Sequence, residues 1–569
     1  MENFQISRLL DETAFWLEIA GESPFAVRAY ATAATTVNRS DLEIAELVLS
    51  HQPYSLPGIG KTLSSQIEEC VLHGRITFLD DLRKRFPESL RSLLKVPGIG
   101  AKLIRLFYEQ LGITTLPLLK ENCLNGEIQK LPGFGEKRVQ KLLEAIAFAE
   151  AQQGKYRITA IEDEARALSS FLSALPCVLR FKITGKLRRF SNVYEKLVFV
   201  VLGSDIGQIK AALEETFAGI SQSGCVPEKF SFRTAPGMLC EVYVTEDQAC
   251  WVPLLIETTG SAQHVAALKQ LSASKGLLWQ SSVLKDAQGH PFNFEKEEAF
   301  YALLGIPYCE PVIRENVYLP VVSDTPELLN LGDLKGLVHC HSQWSDGAHS
   351  LESMALACRD LGYTYMLITD HSQSSKIANG LEPDRIAAQH QEIDALNRRL
   401  TGIRALKGIE SDIRKDGSLD YDEAILRTFD WVIASVHNGL DLDKTEATRR
   451  LIRAMENPFT SAIGHPSGRH LLTRPGYELD MEKITDAAVT NKVALEINAS
   501  PKRFDLDWRH LKDAAHKGAR FIISPDAHRI TGFQNVRYGV QLARKGCLSS
   551  DHILNCLPPE EFMAWQKKP

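Results

Sequence analysis

The chain lacks the marks of a secreted or membrane-bound protein. Among its 569 residues no apolar run approaches the ~18–20 residues that cross a bilayer. The opening stretch MENFQISRLLDETAF has no basic segment followed by an apolar one, as a secretory signal would. The 11 cysteines form no CxxC pair, which argues against both a disulfide framework and a structural zinc site. We therefore expect a soluble, cytoplasmic protein with reduced thiols and no membrane partner.

An excess of positive charge is also missing. The formal net charge of −6 excludes a uniformly basic nucleic-acid binder, although one basic face or loop is enough to hold a phosphate backbone. Apolar residues make up 44% and charged residues 24% of the chain, as in ordinary globular proteins. The length exceeds what one hydrophobic core supports and predicts about three or four domains.

A short motif recurs near the amino terminus, as LPGIGK at 56–61, VPGIGAK at 96–102 and LPGFGEK at 131–137. In each copy proline ends a helical stretch, two glycines permit a tight turn, and the next helix starts with free N–H groups and a lysine. Such a start suits a phosphate and predicts helix-hairpin-helix binding to the DNA backbone without base readout. Alternatively, the turns only join packed helices. The candidate contacts are Gly58, Gly60, Lys61, Gly98, Gly100, Lys102, Gly133, Gly135 and Lys137.

The sequence pattern changes twice after residue 155. From 156 to 312, strand-like runs such as KLVFVVLG and LCEVYV mix with helical ones such as IGQIKAALEETFA. Residues 313–332 contain proline and polar residues without clear periodicity and are typical of a linker. From 333 to the end, short strands alternate with amphipathic helices, which predicts an α/β domain with a largely parallel sheet.

In this last segment the predicted strands repeatedly end on residue types that bind metals. The runs LKGLVHCH, YTYMLITDH, RALKGIE, WVIASVHNG, SAIGHPSG, VALEIN and ARFIISPDAH contain His339, His341, Asp370, His371, Glu410, His437, His465, Glu496, Asp526 and His528. In a parallel α/β barrel all strand carboxyl ends meet at one face. One histidine at a strand end is usually structural, but six are difficult to explain by packing, because buried imidazoles need partners.

Histidine nitrogen and carboxylate oxygen together favour Zn, Mn or Fe over Mg or Ca. A cluster of this size can hold more than one ion, one acidifying a water and another holding a phosphoryl oxygen, which predicts metal-assisted phosphoester hydrolysis. For the phosphate itself, Arg469 is the best candidate cation, because it follows His465 on the loop leaving a strand end. Arg474, Lys376 and Arg503 are further candidates. Each of these cations could instead be a solvated charge or part of an ion pair.

The motifs HCHSQWSDG, ITDHS, KGIESDI, ASVHNG, IGHPSGR, EINASPKRFDLD and SPDAH together resemble the PHP (polymerase and histidinol phosphatase) domain over residues 333–569. The resemblance implies a distorted (β/α)7 barrel that hydrolyses phosphoesters with up to three divalent transition-metal ions (Mn, Zn or Fe). The implied ligands are His339, His341, Glu410 and Asp526 for one ion, Glu410, His437 and His465 for a second, and Asp346, His371 and His528 for a third. The catalytic residues would be His339, His341, Glu410, His437 and Asp526.

The amino-terminal half resembles bacterial DNA polymerase family X. ESPFAVRAYATAATTV and the first glycine turn are similar to its small helical domain, the next two turns to its fingers, and TGKLRRF, TTGSAQHVAALKQLSASKGL and AFYALLGIPY to its catalytic half. The implied multidomain fold has all-α helix-hairpin-helix domains at 1–85 (lyase-like) and 86–155 (fingers-like). A nucleotidyltransferase-like α/β palm and thumb at 156–312, a linker at 313–332 and the PHP barrel at 333–569 follow.

The sequence departs from that family where polymerase chemistry would occur. The serine of the family's Gly-Ser turn is Lys186 here, its paired aspartates correspond to Lys196 and Val198, and a third aspartate falls near Glu241. The lysine of the lyase reaction corresponds to Gln66. Two metal ions in line with a triphosphate need those carboxylates. We therefore expect the polymerase and lyase centres to be inactive.

The sequence thus predicts a DNA-binding, metal-dependent phosphodiesterase that acts through the barrel, in DNA repair, as a 3′–5′ exonuclease, an abasic-site endonuclease or both. The polymerase-like half would hold the DNA. The alternatives are a DNA scaffold with little catalysis, a small-molecule phosphatase, and an active polymerase. The sequence indicates no particular protein partner.

Overall fold

The computed structural model describes residues 1–40, 42–223, 227–315 and 327–565. The chain forms two compact units, one of Met1–Gln153 with Gly347–His349 and one of Gly154–Asp346 with Ser350–Pro569. Each unit is described by itself. None of the helices within these ranges is both long and apolar enough to cross a membrane. Most of the predicted linker at 313–332 lies outside the described residues.

The amino-terminal unit is helical. Its α-helices are α1 (Asn3–Ile19), α2 (Pro24–Arg39), α3 (Ile44–Leu49), α4 (Lys61–His73), α5 (Thr77–Arg85), α6 (Ala101–Leu111), α7 (Leu116–Leu124) and α8 (Glu136–Gln152). Apolar residues at helical spacing, such as Ile104 and Phe107 in α6, are buried in a shared core with Trp16. The glycine turns lie directly before α4, α6 and α8, so the predicted helix-hairpin-helix region is confirmed.

The middle segment mixes helices and strands, as the sequence predicts. Its elements are α9 (Ile158–Ser173), β1 (Val178–Thr184), α10 (Gly185–Arg188), β2 (Lys196–Gly203), α11 (Ile206–Thr216), β3 (Ser221–Ser223), β4 (Glu228–Arg233), β5 (Leu239–Thr245), α12 (Gln248–Thr259), α13 (Ala262–Ser274), β6 (Leu278–Gln280), β7 (Val283–Lys285) and α14 (Glu297–Leu303). Strands β1 to β5 form one sheet in the order β1-β2-β5-β4-β3. β2 is buried at every position after Lys196, which explains its continuous apolar sequence.

The packing of this segment continues past residue 312. The side chain of Arg314 is fully buried, and its Nη1 lies 2.7 Å from Glu297 Oε1. A buried guanidinium needs such a partner, because an unpaired charge is costly away from water. Residues 313–315, at the start of the predicted linker, therefore pack with the middle segment.

The carboxyl-terminal segment alternates strands and helices. Its elements are β8 (Gly336–Cys340), α15 (Leu351–Asp360), β9 (Tyr365–Ile368), α16 (Pro383–Arg399), β10 (Arg404–Asp412), α17 (Glu423–Leu426), β11 (Trp431–Ser435), α18 (Lys444–Glu456), β12 (Ala462–Ile463), α19 (Met481–Asn491), β13 (Ala494–Asn498), α20 (Trp508–His516), β14 (Phe521–Ser524), α21 (Val536–Lys545) and α22 (Pro559–Ala564). The strands pair in sequence order, all parallel. A parallel bridge between Cys340 and Ala527 nearly closes the sheet into the predicted seven-strand barrel.

The barrel interior is filled by apolar side chains from alternate strand positions, among them Leu367, Trp431 and Ile433. The last described helix, α22, contributes a side chain to this core. The ring of its Phe562 is fully buried and stacks on Trp431 with centroids 4.2 Å apart. The carboxyl-terminal helix is therefore part of the barrel core rather than an appendage.

Truncating Phe562 to alanine is expected to destabilise the barrel by about 3–5 kcal/mol, because the change leaves a cavity against Trp431. Calorimetry should show the unfolding transition of the barrel at a lower temperature. Phe4→Ala is the matched control, since the side chain of Phe4 is 56% exposed and its removal leaves no cavity. Equal effects of the two substitutions would contradict the assignment of α22 to the core.

Candidate metal centre

The predicted metal ligands lie at the carboxyl ends of the barrel strands. His339 and Glu410 belong to β8 and β10, and His437, His465 and Asp526 each follow the end of a strand by two residues. Three of them, His339, His465 and Asp526, have φ angles of 61°, 27° and 50°. Residues other than glycine rarely adopt this left-handed conformation, and it persists only where the surrounding structure imposes it. The barrel therefore holds these ligands in an unusual but defined geometry.

The structure brings all the predicted ligands together. It forms four overlapping groups in which one ligand atom of each residue lies within 4.8 Å of those of the others: His341, Asp346, His371 and His528; His339, Glu410 and His465; His339, His341 and Asp526; and His371, Glu410 and His437. These groups overlap the three expected ligand sets but do not coincide with them, since His341 joins the Asp346 group. Which residues share an ion stays a prediction.

Glu410 is the centre of the cluster. Its Oε1 lies 3.0 Å from His465 Nε2, 3.2 Å from His437 Nε2 and 3.3 Å from His339 Nε2. Its other oxygen, Oε2, lies 2.8 Å from His371 Nδ1. Ligand atoms around a tetrahedral ion with bonds of about 2.1 Å are about 3.4 Å apart. The separations are close to those expected of atoms that share a cation.

Several buried ring nitrogens in the cluster lack ordinary hydrogen bonds. His339 Nε2 and both ring nitrogens of His341 are inaccessible to water and have no hydrogen-bond partner among the described residues. A buried polar atom left in this state is costly, and metal coordination is one of the few ways to remove the cost. The donor set of imidazoles and carboxylates thus fits divalent metal ions of the Zn, Mn or Fe type.

The electrostatics keep two of the ligands, His341 and Glu410, in the forms that bind metals. Burial, together with His528 and His371, lowers the pKa of His341 to about 3, so its ring is neutral at physiological pH. Burial by itself would raise the pKa of Glu410, but His437, His339 and His371 outweigh it and hold the pKa well below its ordinary value. Neutral imidazole and ionised carboxylate are the metal-binding states of these side chains.

Two carboxylates outside the three expected ligand sets orient the ligands. Glu496 is fully buried and accepts hydrogen bonds from His339 Nδ1 and from the backbone N–H of His465. Asp412 bonds Nδ1 of His437 in the same way. Such partners fix the tautomer and direction of a histidine ligand. The signal for Asp412 was its position two residues after Glu410, since alternate strand residues face the same side.

Asp412→Asn is expected to weaken metal binding and lower the hydrolysis rate by about 10–100-fold, because the neutral amide no longer fixes the ring of His437 as a carboxylate does. Metal titration and rate measurements on the same preparation would check this. Asp416→Asn is the matched control, since Asp416 is exposed and its carboxylate accepts hydrogen bonds from Ser418, away from the cluster. Normal metal affinity in the Asp412 variant would contradict the assigned role.

The candidate phosphate-binding cations differ in their surroundings. Arg503 lies beside the cluster, with Nε 3.3 Å from Asp526 Oδ2. Arg469 is engaged elsewhere, because it pairs with Asp507 and its Nε donates to the carbonyl oxygen of Arg503 at 3.0 Å. Arg474 donates to the carbonyl oxygen of Gly468 at 2.7 Å, and Lys376 pairs with Glu382 at 2.6 Å. A phosphate contact by Arg469 stays a prediction, and of these four cations Arg503 is the one that contacts a predicted metal ligand.

The three helix-hairpin-helix turns share one backbone geometry. Gly58, Gly98 and Gly133 have φ angles of 74°, 80° and 81°, where a side chain would be strained. Gly60, Gly100 and Gly135 are the N-cap residues of α4, α6 and α8. The side chains of Lys61, Lys102 and Lys137 are exposed in the first helical turn. The geometry is that expected of phosphate-binding turns, and the contacts themselves stay predictions.

The polymerase-like positions surround a cleft of about 640 Å³ on the middle sheet. Glu241 lies opposite Val198 in the pairing of β5 with β2, and its Oε2 is 2.7 Å from Lys196 Nζ. Lys186 pairs with Glu195 at 2.6 Å. Among the positions compared with the polymerase family only Glu241 is a carboxylate, and it pairs with an ammonium group, so an inactive polymerase centre stays a prediction.

In the small helical domain, Gln66 is the residue predicted to replace the lyase lysine. Its side-chain oxygen accepts a hydrogen bond of 2.8 Å from the hydroxyl of Tyr30. An amide has no nucleophilic nitrogen for a Schiff base, which needs an amine. The residue is thus placed in a polar contact rather than in a reactive one.

Family models match most parts of the chain. A helix-hairpin-helix domain matches residues 1–76, a SAM-like helix-hairpin-helix tandem residues 90–147, a DNA polymerase beta thumb residues 254–315, and a PHP domain residues 338–500. These matches follow the order of the folded segments described above. The sequence expectation of polymerase-like and PHP parts in one chain is confirmed.

Curated relatives give the same assignment. The chain is 36% identical to the "DNA polymerase/3'-5' exonuclease PolX" of Bacillus subtilis (strain 168) over 576 residues, which cover 100% of both proteins. Shorter stretches of the chain are similar to two proteins called "Probable phosphatase". The first, from Caldicellulosiruptor bescii, is 34% identical, and the match covers 28% of this chain and 64% of that protein. The second, from Acetivibrio thermocellus, is 30% identical, and the match covers 33% of this chain and 78% of that protein. Because the first of these similarities extends over the full length of both proteins, the chain belongs to the PolX family.

Proposed function

We propose that this protein is a metal-dependent phosphodiesterase that degrades DNA from the 3′ end, cleaves it at abasic sites, or does both, in cytoplasmic DNA repair. The observation that carries the proposal is the convergence of nine histidines and carboxylates at one face of the barrel, with buried ring nitrogens that lack hydrogen bonds. The full-length relative named as a 3′–5′ exonuclease supports the direction of cleavage.

In this proposal His339, His341, Glu410 and Asp526 hold one ion, Glu410, His437 and His465 a second, and Asp346, His371 and His528 a third. Bound divalent ions supply Lewis acidity at a phosphoryl oxygen and lower the pKa of a water molecule. The protein residues hold the ligands in place: Glu496 and Asp412 fix two imidazole rings. Arg503 offers its guanidinium to a phosphate beside Asp526.

DNA reaches the barrel through contacts that read no sequence. The lysines and free N–H groups of the three glycine turns hold the phosphate backbone. Electrostatic contacts of this kind release counterions, so DNA affinity should fall steeply with salt. The middle domain contributes no nucleotide transfer, because Lys196 and Val198 replace two metal ligands. The lyase centre is also inactive, because Gln66 replaces the lysine whose amine would form the Schiff base.

One incubation tests the main proposal: a labelled primer annealed to a template, with Mn²⁺ and all four deoxynucleoside triphosphates. The primer is expected to shorten from its 3′ end and never to lengthen. Template-directed extension would show that the polymerase centre works, and an unchanged primer would favour a scaffold. A template with one abasic site, run in parallel, reports endonuclease cleavage.

A small-molecule phosphatase is the second candidate, because shorter stretches of the chain are similar to proteins named as probable phosphatases. The two functions separate by substrate. A phosphatase would hydrolyse a phosphomonoester such as p-nitrophenyl phosphate faster than the diester bis(p-nitrophenyl) phosphate and would leave DNA intact. The proposed nuclease shows the opposite order.

A further inference from the structure

A short segment of the middle domain, residues 189–192, packs against the barrel next to the metal centre. Phe190 is only 6% exposed, and its ring centroid lies 5.4 Å from that of Phe504 and 6.0 Å from that of Tyr538. Its φ is 52°, which a phenylalanine adopts only where packing compensates the strain. The preceding carbonyl, of Arg189, accepts a hydrogen bond of 2.8 Å from the buried Nζ of Lys545. The segment is thus held firmly against the barrel.

Polar contacts continue from this segment towards the active face. Asn192 Nδ2 donates to Asp507 Oδ2 at 2.8 Å. The same carboxylate oxygen pairs with Nη1 of Arg469, whose Nε donates to the carbonyl oxygen of Arg503. Another nitrogen of Arg469 bonds the carbonyl oxygen of Phe504. Arg469 therefore ties the loop that carries Arg503, and Asn192 is one of two residues, with Arg509, that bond the carboxylate of Asp507 on which Arg469 rests.

The end of this chain of contacts is a metal-ligand candidate. Arg503 Nε lies 3.3 Å from Asp526 Oδ2, and the side chain of Arg503 is 15% exposed. A guanidinium in this place reaches both a ligand carboxylate and any phosphate brought to the cluster. Its position depends on the backbone of residues 500–507, because a long side chain follows the loop from which it starts. The middle domain contacts residues of that loop through Phe190, which packs on Phe504, and through Asn192, which bonds Asp507.

We propose that Phe190 and Asn192 are positioning residues for the metal centre, and that the polymerase-like domain braces the loop of Arg503 so that its guanidinium stays beside Asp526. The inference rests on the proposed function of the barrel. It gives the middle domain a role in hydrolysis that needs none of the carboxylates missing from its own cleft. A contact that only joined the middle domain to the barrel would not be linked through hydrogen bonds to a candidate metal ligand such as Asp526.

The chain contains a matched control for this proposal. Glu162 of α9 makes a second contact between the middle domain and the barrel, with Oε2 2.8 Å from Arg537 Nη2 and 2.6 Å from the hydroxyl of Tyr538. In the full-length protein, Asn192→Ala is expected to lower kcat/KM on DNA by about tenfold, the size of one hydrogen bond to a charged group. Bound metal and the unfolding temperature should not change. Glu162→Gln should alter the rate less than twofold, although it also removes a contact between the domains.

A double-substitution cycle tests the path itself. Residues that act through one group have non-additive effects, so in an Arg503→Met background Asn192→Ala should change the rate less than twofold. Phe190→Leu, which retains an apolar side chain, should behave as Asn192→Ala does. Independent, multiplicative effects of Asn192→Ala and Arg503→Met would overturn the inference, as would equal rates for the Asn192 and Glu162 variants.

A failure of the inference differs from a failure of the proposed function. If the unmodified protein does not hydrolyse DNA with Mn²⁺, the proposed function is wrong and the inference fails with it. If the unmodified protein is active, Asp526→Asn is inactive and Asn192→Ala is fully active, only the inference fails.

Discussion

Asp526→Asn is expected to lower metal-dependent DNA hydrolysis by about a thousandfold, which corresponds to about 4 kcal/mol of transition-state stabilisation. The carboxylate of Asp526 lies 3.4 Å from His341 Nε2 and 3.9 Å from His339 Nε2. Asparagine has the same shape but brings no negative charge to the proposed metal site. His339→Ala should have an effect of the same order, since it removes a ligand next to Glu410.

The measurement is the initial rate of primer shortening, together with the metal content of each purified variant. Glu241→Gln is the matched control, because it neutralises a carboxylate of the middle cleft and should leave hydrolysis unchanged. Activity retained in both the Asp526 and the His339 variants would remove the reaction from the barrel. Loss of activity in the Glu241 variant would instead place it in the middle domain.

Glu496→Gln is expected to have the second largest effect, about a hundredfold loss of activity with a loss of stability of about 1–3 kcal/mol. The carboxylate of Glu496 accepts hydrogen bonds from His339, from the backbone N–H of His465 and from the hydroxyl of Ser524. The amide of glutamine would place an NH2 group, itself a donor, against these donors in a buried site. The ring of His339 would then lose the partner that fixes its direction.

Metal titration, rates and thermal unfolding of this variant separate the two losses. Added Mn²⁺ should restore part of the activity, because the ligands themselves remain. Glu456→Gln is the control, since Glu456 is exposed at the end of α18. A Glu496 variant with normal metal affinity and normal rate would show that the buried carboxylate has only a packing role.

Much of the fold followed from local patterns in the sequence. The glycine turns could be predicted because the backbone at Gly58, Gly98 and Gly133 needs a positive φ, which few other residues adopt. The barrel could be predicted because apolar strands alternate with amphipathic helices in the sequence, and parallel strands bring their carboxyl ends to one face. The family resemblance then predicted individual ligands such as His341 and Asp526.

The tertiary structure decided which charged residues act together. Sequence favoured Arg469 over Arg503 for a phosphate, but the fold places Arg469 against Asp507 and leaves Arg503 beside Asp526. Sequence also gave no partner to Asn192. Its contact with Asp507 joins residues 315 positions apart, and no local pattern encodes a pair at such a separation.

By itself, then, the sequence determined the kinds of elements, their order and the residue types at the active face, because these depend on spacing along the chain. Only the tertiary structure decided how Glu496 and Asp412 orient their histidines and how the middle domain meets the loop of Arg503. Those contacts depend on side-chain directions and on distances through space. They arise only when strands distant in sequence are packed into one barrel.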